Sequence, residues 1–209
     1  MSFNVCTVCS SNMNRSMEAQ RVLTEAGYKV SSYGTGNCVK IPGLTKETPN
    51  VFQFGTPYKE ILSTLQQQES VVPEENRNFA KQGLYDMLER NIGLKECPEN
   101  WHVQSTDKIL ENDIVICCDE KCYEILLDDC ARRGIKRGTP LLIFNVDVID
   151  LHTKSLEAGQ AILKLMNLLE ELKINSKKES DFYDNIGSVA GQWQLEYQNL
   201  PILYKIQIL

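Results

Sequence analysis

Cys9-Ser10-Ser11-Asn12-Met13-Asn14-Arg15-Ser16 places a thiol, a guanidinium and a hydroxyl in one short segment. The five residues between Cys9 and Arg15 let the chain curl so that successive backbone N–H groups face one point. A strand entering this loop and a helix leaving it would add the positive end of the helix dipole there. Such a cradle suits a phosphate dianion and favours the thiolate form of a cysteine inside it. Cys9 is then a nucleophile, and Arg15 grips two phosphate oxygens with a planar fork that lysine lacks. Ser16 can donate a hydrogen bond to the Cys9 sulfur. Ser10, Ser11, Asn12, Met13 and Asn14 form the cradle itself. Asn12 and Asn14 tolerate left-handed backbone angles and can tie the loop together through their side chains. The bare spacing is common; the serine after it and the strand and helix around it make it specific to cysteine-dependent phosphoryl chemistry.

That chemistry also needs an acid, to protonate the leaving oxygen and then to activate water against a phospho-cysteine. Asn145-Val146-Asp147-Val148-Ile149-Asp150 offers two carboxylates after an apolar run. Asp150 stands farther from the end of that run and can reach over the cradle, so it is the expected acid. Asp147 is expected to make a structural hydrogen bond to backbone.

The elements that must position these groups follow from periodicity. A β-favouring run over 3–8 leads into the loop, and apolar residues at helical spacing follow over 16–26, ended by Gly27. A second strand over 28–33 closes on Gly34-Thr35-Gly36, giving a βαβ unit. Residues 37–57 read as a long loop or insertion, 58–65 as helix, 66–76 as a polar, mobile surface connection, and 79–90 as helix. A buried strand over 114–118, a helix over 120–133, breaks at Gly134 and Gly138, a fourth strand over 141–146 and helices over 155–173 and 182–200 complete the chain. Strands alternating with helices predict a three-layer α/β/α fold on a central parallel sheet. We read 1–209 as a single domain, with 37–92 an insertion that builds a substrate groove and 153–209 the C-terminal helices.

Composition excludes other classes. A net charge of −6 argues against a nucleic-acid-binding face, although one local cationic pocket is compatible with it. No apolar run approaches a membrane span and the N-terminus has no basic patch before an apolar core, so a protein inside the cell, not secreted or anchored, is expected. The eight cysteines are then expected to be reduced thiols rather than a disulfide framework.

Val8 to Ala19, Ser32 to Gly36, Pro49-Asn50-Val51-Phe52, Met87 to Asn91, Cys118-Asp119-Glu120 and Asn145-Val146-Asp147 together resemble one family. It is the small RNA polymerase II C-terminal-domain phosphatase of the mRNA cleavage and polyadenylation machinery (the "Ssu seventy-two" family). The resemblance implies a low-molecular-weight tyrosine-phosphatase-like fold acting on phosphoserine before a cis proline, in the fifth and to a lesser extent the seventh heptad position. It implies that Lys40, Ile41, Pro42, Leu84 and Met87 line the peptide groove and proline pocket. A nuclear location, a phosphorylated polymerase-tail peptide and a symplekin-like scaffold as partners, and no cofactor or metal, belong to the same implication. After Asp150 the chain departs from the family, reading Leu151-His152-Thr153-Lys154.

Rival readings stay open at this point. A low-molecular-weight tyrosine phosphatase would use the same loop, but such enzymes usually carry Asp-Pro in the acid loop, and here Asp147 and Asp150 precede Val and Leu. An arsenate reductase would relay oxidation to distal thiols, for which Cys117, Cys118 and Cys122 are available, and a non-catalytic phosphopeptide-binding scaffold would need no acid. Cys6 is expected to be a core thiol, with a protective disulfide to oxidised Cys9 as a second possibility. A zinc site from the same cysteines is disfavoured because the loop needs Cys9 free. His102 and His152 are assigned no role.

Overall fold

A computed structural model describes residues 3–45, 47–134 and 140–207. Its strands are β1 (Asn4–Cys9), β2 (Lys29–Gly34), β3 (Val39–Ile41), β4 (Asn50–Phe52), β5 (Ile114–Cys117), β6 (Leu141–Val146) and β7 (Ile202–Gln207). Its helices are α1 (Arg15–Glu25), α2 (Tyr58–Ser70), α3 (Leu84–Leu94), α4 (Thr106–Leu110), α5 (Glu120–Arg132), α6 (His152–Asn175) and α7 (Glu179–Glu196).

Five strands form one sheet in the order β2-β1-β5-β6-β7. The first four are parallel; β1, β5 and β6 are almost wholly buried on both faces, as parallel strands between helical layers must be, while the edge strand β2 is buried only from Ser32 onward. In β1, Val5 and Cys9 face a core formed with α1, α6 and α7, while Cys6 and Val8 face one formed with Trp101 and α5. The three-layer reading therefore holds. The sheet is mixed rather than purely parallel, because β7 returns antiparallel beside β6, with Val146 opposite Ile202. The expected helix over 182–200 instead ends at Glu196, and Gln194 turns the chain by accepting the Ile202 N–H at 3.0 Å through its side-chain oxygen.

Residues 37–57 are not only loop: β3 and β4 pair as an antiparallel hairpin. The polar connection over 66–76 is half helix, since α2 continues to Ser70. Its buried Glu69 accepts the N–H groups of Asn78 and Phe79 and the hydroxyl of Tyr85 at 2.7, 2.6 and 2.7 Å, fixing the segment that leads into α3. Helix α3 starts at Leu84, after Gly83 takes the left-handed conformation at φ +72°, rather than at Phe79. The hairpin, α2 and α3 share a third apolar cluster, which receives Met13 and Met17 from the phosphate loop and α1. Gly134 ends α5 at φ +58°, and Gly138 lies outside the described residues.

The registers decide where chemistry collects. Cys9 pairs with Gly34, Val8 with Cys117 and Cys117 with Asn145, so β1, β2, β5 and β6 end at one level. The chain leaves β1 towards β2 on one side and later returns to β5 on the other. The crevice beyond that reversal is where open α/β sheets bind ligands.

Candidate active site

The loop between β1 and α1 turns its carbonyls outward onto the scaffold. Cys9 O and Ser10 O accept the N–H groups of Thr35 and Gly36 at 3.0 and 2.9 Å, and Asn12 O accepts the hydroxyl of Tyr58 at 2.7 Å. Gly34 is required here: a Cβ would lie 2.8 Å from Ser10 O and 2.7 Å from the Phe54 ring. Among the described residues the N–H groups of Ser10 to Asn14 donate to no protein acceptor. These unspent donors, at the N-terminus of α1, make an anion cradle.

Asn12 has the left-handed backbone the loop needs, at φ +52°, whereas Asn14 does not, with φ −109° as the residue capping α1. The Asn12 side chain is a buried hub. Its oxygen accepts the Glu99 N–H at 3.0 Å, which leaves its amide to donate to Ser16 Oγ and Ser32 Oγ at 3.1 and 3.0 Å. Ser16 Oγ stands 3.0 Å from Cys9 Sγ. That oxygen accepts from Asn12, and its own proton is free to be donated to a Cys9 thiolate. Thr7 Oγ1 donates to Ser16 O at 2.8 Å and pins the first turn of α1 to β1.

Arg15 is nearly enclosed. Nη1 donates to Cys118 O and Val148 O, both at 3.1 Å, and Nη2 lies 3.0 Å from Asp119 Oδ2 and 3.3 Å from Asp150 Oδ2. Its Nε is buried and has no partner among the described residues, so one donor remains unspent beside the loop. Burial works against the Arg15 charge, but Cys9, Asp150, Cys118 and Asp119 outweigh it and push its pKa above the ordinary value. Asp150 is the more exposed carboxylate and also accepts from Asn14 Nδ2 at 2.9 Å. Asp147 is exposed, and only its backbone N–H is used, donating to Pro201 O at 2.9 Å. The expected side-chain bond is absent among the described residues, and the backbone contact is made to Pro201, just before β7.

The cradle opens into a cleft of about 580 Å³. Cys9, Ser11, Met13, Asn14 and Asp150 line it together with Lys40, Ile41, Pro42, Leu84 and Met87, so the residues expected of the groove meet the expected nucleophile and acid in one space. Ser11 Oγ accepts the Lys40 N–H at 3.2 Å and ties β3 to the loop. Ile41, Leu84 and Met87 are at the same time members of the third core cluster. Ser10 is exposed at the loop's outer side.

The family described as Ssu72-like protein matches residues 3–209. A Candida glabrata protein named SSU72, a phosphatase of the RNA polymerase II C-terminal domain, is 41% identical over 201 residues, spanning 95% of this chain and 93% of its own. The chain belongs to the Ssu72 family. A Schizosaccharomyces pombe member, named as the same phosphatase, is 41% identical over 97% of this chain and 94% of its own length. The crystal structure of Drosophila melanogaster Ssu72 with Symplekin, bound to a cis peptidomimetic phosphoserine peptide of the polymerase C-terminal domain, superposes with a TM-score of 0.78. It is 30% identical and covers 99% of this chain and 98% of its own.

Within this Ssu72-family chain, three contacts escaped the sequence reading. Asp119 both caps α5, accepting the Cys122 N–H at 2.8 Å, and faces Arg15. Its place in the resembling Cys118-Asp119-Glu120 stretch was the available signal. Tyr58 reaches the loop from a helix far along the chain. His152, assigned no role from the sequence, lines the cleft, and its ring packs on Gly83. The sheet also separates Cys6 from Cys9, since the two thiols belong to cores on opposite faces, which opposes a disulfide between them. Burial pushes the Cys6 thiol up to about 12 and also raises Cys117, Cys118 and Cys122. Among the described residues no group of three or more His, Cys, Asp and Glu is arranged to hold a metal ion. No helix among them is long and apolar enough to cross a membrane.

Proposed function

We propose that the chain is a cysteine-dependent phosphatase of phosphoserine in Ser-Pro motifs of the RNA polymerase II C-terminal domain. The observation that carries this is the loop of unspent N–H donors around Cys9, opening into the cleft that also holds Asp150 and the Lys40 to Pro42 segment. The Cys9 thiolate attacks phosphorus as the bond to the serine oxygen breaks, and Asp150 gives its proton to that oxygen. Backbone N–H groups and Arg15 hold the equatorial oxygens, and Ser16 steadies the sulfur as it attacks and leaves. Water then attacks the phospho-cysteine, Asp150 takes its proton, the P–S bond breaks and inorganic phosphate departs.

The apolar faces of Ile41, Leu84 and Met87 suit a proline ring folded back beside the phosphate, as a cis peptide requires. A relay of oxidation through Cys117, Cys118 and Cys122 has little support, since all three are buried and held as thiols. By family, the partner is a symplekin-like scaffold and the place of action is the nucleus.

Turnover of matched phosphoserine-proline and phosphotyrosine peptides tests the reading. Wild type should prefer the phosphoserine-proline peptide, and Cys9→Ser should be inactive on both. A preference for phosphotyrosine would overturn the substrate assignment, and an active Cys9→Ser the chemistry.

A further inference from the structure

We propose that Arg90 and Asn91 of α3 are positioning residues that hold the phosphate loop in its anion-accepting shape. The proposal rests on the phosphatase reading above and goes beyond it to two residues that do not line the cleft. Arg90 Nη2 donates to Met13 O at 2.9 Å and to Asn14 O at 3.2 Å. Asn91 Nδ2 donates to the same Met13 O at 2.8 Å. Asn91 is fully buried, and its own oxygen accepts from Arg90 Nε and Nη2 at 3.1 and 3.0 Å, which locks the two side chains to each other.

In a trans peptide unit the C=O and the following N–H lie in one plane and point in opposite directions. Drawing Met13 O outward therefore turns the N–H of Asn14 inward; Asn14 O is already directed by α1, where it accepts the Glu18 N–H at 3.0 Å, and Arg90 adds to that hold. Tyr58 acts in the same sense on Asn12 O, so the outer surface of the loop is gripped at three successive carbonyls. Preorganised donors of this kind lose no reorganisation energy when charge arrives.

The grip is itself held by a buried charge. Glu18 in α1 has a side chain only 1% exposed, and its Oε2 lies 3.0 Å from Arg90 Nη1, while Arg21 pairs with its other oxygen. A buried ion pair is a poor source of stability but a good means of fixing one geometry. Glu18 lies on the helix whose N-terminus faces the anion, and Arg90 on the helix whose first turns carry Leu84 and Met87. Loop, anion helix and groove wall are thus joined behind the cradle at one point.

The test uses Arg90→Lys, which keeps a cation beside Glu18 but loses the fork, and Asn91→Ser, which withdraws the amide from Met13 O. The readouts are the competitive inhibition constant of inorganic phosphate, kcat/KM on p-nitrophenyl phosphate, which does not use the groove, and kcat/KM on a phosphoserine-proline peptide. Each variant is expected to weaken phosphate inhibition roughly tenfold and to lower kcat/KM on both substrates by a similar factor. Phosphate inhibition unchanged in a folded variant, with only thermal stability reduced or only the peptide KM raised, would overturn the proposal. A wild-type chain inert towards both substrates and phosphate would instead overturn the phosphatase reading.

Discussion

Arg15 and Asp150, the phosphate clamp and the acid of the proposed reaction, face each other, with Arg15 Nη2 3.3 Å from Asp150 Oδ2. Asn14 braces the carboxylate from the other side at 2.9 Å. A phosphoryl group entering the cradle would compete with Asp150 for the guanidinium. Asp150→Asn should lower kcat on the phosphoserine-proline peptide by about 10²- to 10⁴-fold, without raising KM. Steady-state kinetics would contradict the assignment if KM rose while kcat held.

Asp119 is the second carboxylate on Arg15 and the more buried of the two. Asp119→Asn removes the nearer charged partner from a guanidinium otherwise held by Asp150 and the carbonyls of Cys118 and Val148, and also weakens the cap on α5. The loss of a charge-assisted bond should lower kcat/KM roughly tenfold or more, equally for peptide and aryl phosphate. Unchanged kinetics on both substrates would show that the carbonyls of Cys118 and Val148 suffice to orient Arg15.

Gly83 closes the cleft against His152. A Cβ there would lie 2.5 Å from His152 Cδ2, on a backbone at φ +72°. Gly83→Ala should destabilise the fold by about 1–2 kcal/mol from the left-handed backbone alone. It should also displace the ring beside the acid loop, raising KM for the peptide more than for an aryl phosphate. Denaturant unfolding and paired kinetics read the two effects separately, and an unaffected peptide KM would remove His152 from the groove wall.

His152 also gives a pH dependence. Burial, with Arg90 adding to it, lowers the imidazole below its ordinary 6.5, against the pull of Asp86 and Glu18. The unfolded chain then binds the proton more readily than the folded one. Stability is complete above pH 6.5 and is lost as pH falls below 6.5 through the lowered folded value. The melting temperature of His152→Asn should fall less than that of wild type between neutral pH and mild acid; parallel falls would place the dependence elsewhere.

The loop from Cys9 to Ser16 was legible because its chemistry is local: residue types, spacing and the flanking strand and helix are all contiguous. The position of Asp150 beside the loop was legible for a related reason, as strands of a parallel sheet deliver their following loops to one edge. Contacts made by distant side chains were not. Tyr58, Arg90 and Asn91 meet the loop only after α2 and α3 fold onto it, and nothing in their neighbours' periodicity marks that. Strand β7 escaped because a short segment after a helix carries little periodic signal, and its antiparallel direction is set by the turn at Gln194. The helical extension to Ser70 escaped because its polar run hides Glu69, whose burial depends on partners at Asn78, Phe79 and Tyr85.

In the proposed reaction phosphate passes through a covalent bond to Cys9, and the phospho-enzyme tests this most directly. With an aryl phosphate, whose leaving group needs little help from an acid, Asp150→Asn should form the intermediate and hydrolyse it slowly. Rapid quenching of that variant, followed by peptide mass mapping, should recover a phosphoryl group on Cys9. Phosphate released with no phospho-enzyme, or a phosphoryl group found on a residue other than Cys9, would contradict the account.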